Sequence, residues 1–313
     1  MSDVWTKYFN KKKLELADTA RRAKNLKFCY AFLLPYAVLF ITFSILPMIN
    51  SIYYSFTNFN ILEKPDFIGM RNYINLFLQD EVFQVAVKNT FLVAVITGPV
   101  GYIMAFLFAW LINELPKWIR TLVVFFFYVP SITGIVVLQV FQKLFADDAY
   151  GWLNSWLIKT GLTSSPITFL TNPKIVMKVI IPVILWQSLG AGFLSFVAGL
   201  KGIDKSQYEA GYIDGIQNRW QELWFITLPN MKPMLLFGAV MSITSAFNVC
   251  DVPRTLAGYP STDYCARTIV THLFDYGFTR FEFGYASAIA TVLFLTMIIC
   301  NKIIQSLLNR VGH

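Results

Sequence analysis

Charge is scarce in this sequence. Asp, Glu, Lys and Arg make up 14% of the 313 residues, where soluble domains carry roughly 25%. Apolar residues reach 56% and the mean hydropathy is +0.54. Length alone fits one or two soluble domains, but this composition excludes them, and most of the chain must face lipid or other membrane helices. Cysteine patterning is missing too. Cys29, Cys250, Cys265 and Cys300 are scattered without a CxxC, which argues against a metal or redox site and for free core thiols. There is no GxxxxGK[ST], so the chain has no phosphate-binding loop of its own. The two histidines, His272 and His313, lack an HExxH or any paired context. Glu209 and Asp214 are five residues apart, about 140° around a helix, so they do not form a facing carboxylate pair. Nothing here supports an enzyme or a bound cofactor. The net charge of +8 does not mark a nucleic-acid binder, because the basic residues are dispersed or sit beside apolar runs.

What is present is a series of apolar runs. A membrane-crossing helix needs about 20 apolar residues, and six such runs are readable at 28–54, 85–112, 121–141, 175–200, 234–252 and 285–308. The first is too long for a cleaved signal peptide and stays as an anchor. It follows a basic arm, residues 1–27, suited to anionic lipid. Pro35, Pro47, Pro99, Pro130 and Pro182 fall inside or near these spans, where proline is tolerated. An inside N-terminus and C-terminus puts 16 of the 26 Lys and Arg residues on the cytoplasmic side, as the positive-inside rule asks. The expected architecture is therefore all-α, six spans, N-in and C-in, with a membrane domain over 28–313. The outer loops are 57–84, 142–174 and 253–284. In the middle one, Asp147, Asp148, Tyr150, Trp152 and Trp156 fit an interfacial aromatic belt or a docking surface.

Residues 204–233 form the one long polar block between apolar blocks in the C-terminal half. Asp204 with Gln207 three residues later reads as a capping box. Gly211 and Gly215 interrupt the helix that follows, and Pro229 and Pro233 close the block. Ile213, Ile216, Trp220, Leu223 and Trp224 recur at spacings of three and four, giving one greasy face for the lipid interface or a partner's groove.

Tyr208-Glu209-Ala210-Gly211-x-x-Asp214-Gly215, followed by Ile226-Thr227-Leu228-Pro229, resembles the "EAA" cytoplasmic loop of binding-protein-dependent ABC importer permeases. Ser55-Phe56-Thr57-Asn58-Phe59 with Phe67-Ile68-Gly69-x-x-Asn72-Tyr73, and Phe283-Gly284-Tyr285-Ala286-Ser287-Ala288, resemble segments of the sugar-importing branch. The resemblance runs from about residue 28 to the C-terminus. It departs from the family pattern at Gly211, where a second Ala or Ser is usual, at Ile216 in place of Ala, and in one extra residue before Pro229. It implies a type I importer permease fold in a bacterial cell membrane. It also implies a cytoplasmic coupling loop over 203–233, with Glu209, Ala210, Gly211, Asp214, Gly215 and Pro229 docking on an ATPase. The implied partners are a second homologous permease, an ATPase dimer carrying ATP and Mg, and an extracytoplasmic solute-binding lipoprotein, with membrane lipid around the chain and no nucleic acid.

The six cores hold essentially no ionisable group; Lys88, Lys178, Asp251 and Lys302 sit near their ends. That disfavours a self-sufficient proton-coupled carrier. Polar uncharged residues do occur at depth. Gln187 and Ser188 in the fourth span, and Ser245 and Asn248 with Phe247 in the fifth, suit a carbohydrate path, where the resemblance also places substrate contacts. Such residues are equally the usual glue between membrane helices. A phosphate-bearing cargo such as a glycerol phosphodiester would want Arg or Lys in the path, and none is apparent.

Overall fold

A computed structural model describes residues 27–310; the basic arm, apart from Lys27, and His313 lie outside them. The chain falls into two units, Met1–Tyr53 and Tyr54–His313. In the first, α1 (Lys27–Phe40) runs through a π-turn at Ile41–Ile45 into α2 (Leu46–Tyr54). The 25-residue stretch Tyr30–Tyr54 rises about 37 Å at 1.5 Å per residue, enough for a hydrocarbon core of about 30 Å.

The second unit is helical throughout its long elements: α3 (Arg71–Leu78), α4 (Glu81–Ile112), α5 (Lys117–Thr133), α6 (Ile135–Leu144), α7 (Trp152–Lys159), α8 (Val176–Gln187) and α9 (Ala191–Gly202). Then come α10 (Lys205–Ile213), α11 (Arg219–Glu222), α12 (Leu228–Phe247), α13 (Asp251–Leu256), α14 (Ile269–Phe274) and α15 (Phe283–Arg310). Lipid offers no hydrogen-bond partner to a backbone, so helices are the form these runs must take. Five helical stretches among the described residues are long and apolar enough to cross a membrane, and α5 with α6 makes a sixth if that pair, bent by 90°, is one span.

The differences from the sequence expectation are local and have local causes. α4 starts at Glu81 rather than 85 because the Asp80 side chain caps it, accepting from Phe83 N–H. The third span breaks at Gly134, whose φ of +54° is open to glycine at little cost. The fourth pauses at 188–190 between α8 and α9. The fifth begins far upstream. Pro229 and Pro233 do not close the polar block. They lie within one helical stretch, Arg219–Leu256, after a π-turn at Leu223–Thr227.

The unit's centre is the crossing of α4, α9 and α12, made close by glycine. A Cβ on Gly192 would sit 3.7 Å from the Gly238 backbone, one on Gly101 would meet Ser188 Oγ at 2.9 Å, and one on Gly238 would collide with the Phe196 ring. Phe196 in turn meets Tyr102 and Phe106 edge-on at 5.5 and 5.7 Å, a favoured aromatic geometry. Small residues at crossings are how membrane helices gain packing contact.

At the far end of α4 the segments around 55–59, 67–73 and 283–288 come together. Gly284 N–H donates to Phe59 O at 2.8 Å and Ile68 N–H to Phe56 O at 2.9 Å. Buried Asn72 donates to the Ser55 and Thr57 carbonyls. Beside them lies a buried ionic network that the sequence did not disclose. Asp80 accepts from His272 Nε2 at 3.0 Å, Tyr285 OH at 2.9 Å and Tyr276 OH at 3.4 Å. Arg267 Nε donates to His272 Nδ1 at 3.4 Å, which leaves Nε2 as the protonated nitrogen facing Asp80. Arg267 also pairs with Asp275, which Arg280 joins at 3.0 Å.

Burial opposes the Asp80 charge, but the hydrogen bonds from His272, Phe83 N–H and Tyr285 outweigh it and hold the carboxyl down at about 2. A depressed carboxyl contributes stability above its unfolded value, lost as pH falls through its folded value. Melting in detergent should therefore show stability falling between pH about 4 and about 2, with a shallower slope in Asp80→Asn. Asn89 makes a second tie, donating to the Cys265 and Arg267 carbonyls at 2.9 and 3.0 Å. Asn89→Val strands both carbonyls, and a loss of at least about 2 kcal/mol is expected, read as a lowered Tm.

Candidate functional site

Two sites emerge, one at each of two levels of the second unit. The first is α10 and the turn after it. Asp204 is the N-cap, its carboxylate accepting from Ser206 N–H at 3.1 Å. The reciprocal half of a capping box does not form, because the Gln207 side chain is engaged elsewhere, accepting from Asn230 Nδ2 at 2.5 Å. The C-terminus is a Schellman motif: Ile216 N–H reaches Gly211 O at 3.0 Å and Gly215 N–H reaches Tyr212 O at 3.3 Å, with Gly215 at φ +94°. That is the left-handed position where a glycine ends a helix.

α10 is docked on the π-turn by its inner face. Tyr208 OH lies 3.1 Å from Thr227 Oγ1, and buried Gly211 lies under Ile226. A Cβ at Gly211 would come within 2.5 Å of Ile226 Cδ1 and 3.0 Å of Ile216 Cδ1. The bulk missing at Gly211 is thus supplied by Ile216. That π-turn, Leu223–Thr227, is a single-turn bulge in the helical stretch that runs on through Pro229.

The outer face of α10 is exposed. Glu209, Ala210, Asp214 and Gly215 are exposed, as is Pro229, whereas Gly211 points inward. Between them Tyr212 is 75% and Ile213 86% exposed. Of the greasy face read from sequence, Leu223 is buried while Trp220 and Trp224 are exposed. The turn is strapped to the end of α4: Trp220 packs on Trp110 at 5.4 Å, and Arg219 pairs with Glu114 while lying over the Trp110 ring. Loops 113–120 and 201–233 therefore share one end of the unit, and loops 57–84 and 253–284 share the other.

The second site is a cavity of about 240 Å³ between α4, α8–α9 and α12. Gln187, Ser188, Ser245 and Asn248 line it together, joined by Thr97, Tyr102, Ser242 and Asp251. Phe247 does not; it is buried on the opposite side, edge-on to Phe91 at 5.6 Å. Two hydroxyls serve the helices: Ser188 donates to Leu185 O at 2.6 Å and Ser242 to Gly98 O at 2.9 Å. Ser245 and Asn248 have no side-chain hydrogen bond among the described residues and are exposed to the cavity. Thr97 Oγ1 is buried without a partner. Gln187 Nε2 approaches the Gly134 carbonyl at the helix break, 3.5 Å away. The cavity wall thus offers amide and hydroxyl groups and one carboxylate, with no Lys or Arg among its described lining residues. Tyr102 and Thr97 escaped the sequence reading because each stands singly among apolar and small residues of α4; only the register of its packing turns them inward.

A multi-pass all-helical membrane protein with a polar internal cavity and an exposed helical knob beneath it is the class that fold and site define: a transport permease. The chain matches the family model described as binding-protein-dependent transport system inner membrane component over residues 98–311 and belongs to that family. It is 32% identical over 288 residues to the probable ABC transporter permease protein YesP of Bacillus subtilis, covering 88% of this chain and 90% of that one. It is 29% identical over 285 residues to the lactose transport system permease protein LacF of Rhizobium radiobacter, covering 87% and 91%. A crystal structure of a bacterial ABC transporter involved in the import of the acidic polysaccharide alginate superposes with a TM-score of 0.76, at 26% identity over 94% of this chain and 99% of that one. The same fit, 0.76 at 26% identity, is found with a bacterial alginate ABC transporter in complex with a periplasmic protein carrying alginate pentasaccharide.

The packing at Gly211 gives a sharp test. Gly211→Ala should lower transport and coupled ATP hydrolysis several-fold. Adding Ile226→Val, which removes the clashing Cδ1, should restore most of it. A double-mutant cycle on transport rate measures the coupling.

Proposed function

We propose that this chain is the permease subunit of an ATP-driven importer of carbohydrates, oligosaccharides among them, and forms half of the translocation path. The observation that carries the substrate class is the cavity wall. Amide and hydroxyl groups at Asn248, Ser245 and Gln187, beside the Tyr102 ring and without a basic residue, match neutral polyhydroxylated cargo better than phosphate-bearing cargo. Relatives named for lactose, arabinooligosaccharides and multiple sugars support the same reading.

The chain works with a second, homologous permease, a pair of ATPase subunits that bind ATP and Mg, and an extracytoplasmic solute-binding protein. It catalyses no reaction itself and holds no cofactor. Its N- and C-termini are cytoplasmic, which places α10 beside the ATPase. Glu209, Ala210, Asp214 and Gly215 then present the exposed face of α10 to a cleft on that subunit. ATPase closure moves α10, and the π-turn under Tyr208 and Gly211 passes the movement into α12, the helix that bears Ser245 and Asn248. Transport by alternating access follows from that lever.

Affinity purification of the tagged chain from its native membrane tests the reading. An ATPase, a second permease and a sugar-binding lipoprotein should co-purify with ATPase activity. Recovery of the chain alone, still moving solute in liposomes, would establish a self-sufficient carrier instead. Glu209→Lys should abolish transport and release the ATPase while the chain still inserts. Gly215→Pro should do the same, since proline fixes φ near −65° where the turn needs +94°. Normal transport by either variant would sink the coupling role.

A further inference from the structure

The cavity between α4, α8–α9 and α12 has one charged side chain among its lining residues, Asp251, and the fold makes no use of its carboxylate. α12 ends at Phe247 and α13 begins at Asp251, so a short turn brings Asp251 to the space that Ser242, Ser245 and Asn248 already line. The N-cap of α13 is Cys250, with no side-chain cap. Among the described residues Asp251 accepts no hydrogen bond and joins no ion pair. Arg254, one turn on, lies instead over the Tyr259 ring at 5.1 Å. The carboxylate is exposed, and no Lys or Arg in the lining neutralises it. An acidic residue in a first turn suits the helix dipole, but that role says nothing about the company Asp251 keeps.

That company is polar and unspent. Thr97, in the same wall on α4, is 3% exposed, and its Oγ1 has no hydrogen-bond partner among the described residues. A buried hydroxyl left unbonded is costly, and a hydroxyl arriving from the cavity removes the cost. Ser245 and Asn248 are exposed and likewise give no side-chain hydrogen bond to the fold.

The chemistry is that of a sugar ring. A carboxylate has two acceptor oxygens side by side, which is what two neighbouring ring hydroxyls ask for, and bonds to an ionised acceptor are the strong ones. At about 240 Å³ the cavity lies below the roughly 300 Å³ at which drug-sized ligands begin to fit, so it grips a single ring of a longer chain. The same carboxylate repels a ring that carries its own. Between helices, out of bulk water, that repulsion is strong, and no cation in the wall offsets it.

Resting on the carbohydrate-importer reading, we propose that Asp251 is a specificity-determining residue of the path. It holds neighbouring hydroxyls of one neutral ring, with Thr97, Ser245 and Asn248 taking further hydroxyls, and it turns away sugars that bear a carboxylate.

Equilibrium dialysis of the assembled permease and ATPase subunits in nanodiscs tests this without selection by a binding protein. The probes are labelled neutral trisaccharides of glucose, galactose and arabinose, and trigalacturonate. The wild type should bind a neutral probe at least about tenfold more tightly than trigalacturonate. Asp251→Asn keeps the shape and removes the charge, so it should move the two in opposite directions: the neutral probe several-fold weaker, trigalacturonate several-fold tighter. Ser245→Ala should weaken the neutral probe without strengthening trigalacturonate, which separates a lost hydroxyl contact from a lost charge. If Asp251→Asn weakens both probes together or changes neither, the assignment to Asp251 is overturned. A wild type that binds trigalacturonate as well as the neutral probes overturns it too, and the importer reading stands in each of these cases. A wild type that binds none of the sugars would overturn the carbohydrate reading, and the role of Asp251 with it.

Discussion

The second unit depends on how closely three helices approach one another. Inside a bilayer there is little hydrophobic gain from pressing one apolar helix on another, so contact area and interhelical polar bonds decide the arrangement. Gly101, Gly192 and Gly238 remove the side chains that would hold α4, α9 and α12 apart. The space around Phe196 is set by that approach, and so is the cavity above it. The cavity is what remains where the α8–α9 pair pauses at 188–190 and no longer follows its neighbours. A residue larger than glycine at these crossings would therefore change the cavity as well as the stability of the bundle.

Much of this was legible in the sequence, for physical reasons. Spans are readable because twenty apolar residues have few soluble alternatives, and the end of α10 at Gly215 because a left-handed helix stop favours glycine. What remained hidden was tertiary. His272 appears solitary in the sequence, yet its partner Asp80 lies 192 residues away, and no local pattern encodes that distance. Phe247 shares the polar stretch of Ser245 and Asn248 but sits on the other side of α12, because adjacent helical positions differ by about 100°. Pro229 and Pro233 read as terminators because proline breaks helices in water. In a membrane helix neighbouring groups and local π geometry absorb the lost bond, and the π-turn at Leu223–Thr227 lies one step upstream of Pro229.

The departures from the family pattern in the proposed coupling segment are mutually consistent. Gly211 takes away a methyl group, and Ile216, in place of alanine, restores apolar bulk over the same spot. One π-turn lies ahead of Pro229, and α12 follows it directly. With them in place Tyr208 sits on Thr227 and Glu209 is exposed. Gly211 is buried on the underside of the helix beside Ile216 and Ile226, away from its exposed face.

Charge placement completes the argument about energy. The cavity has one carboxylate and no cation in its wall, so it lacks the paired titratable groups with which a proton-driven carrier would turn a gradient into movement. Charged side chains do lie at both ends of α4: Arg219 with Glu114 at one, and Asp80 with His272 at the other. A helix strapped by charge and aromatic contacts at both ends, and packed at glycines in between, is suited to transmit force along its length. α4 thereby joins the end of the unit that bears α10, the cavity wall and the opposite end in one element. The membrane interior needs no charge of its own.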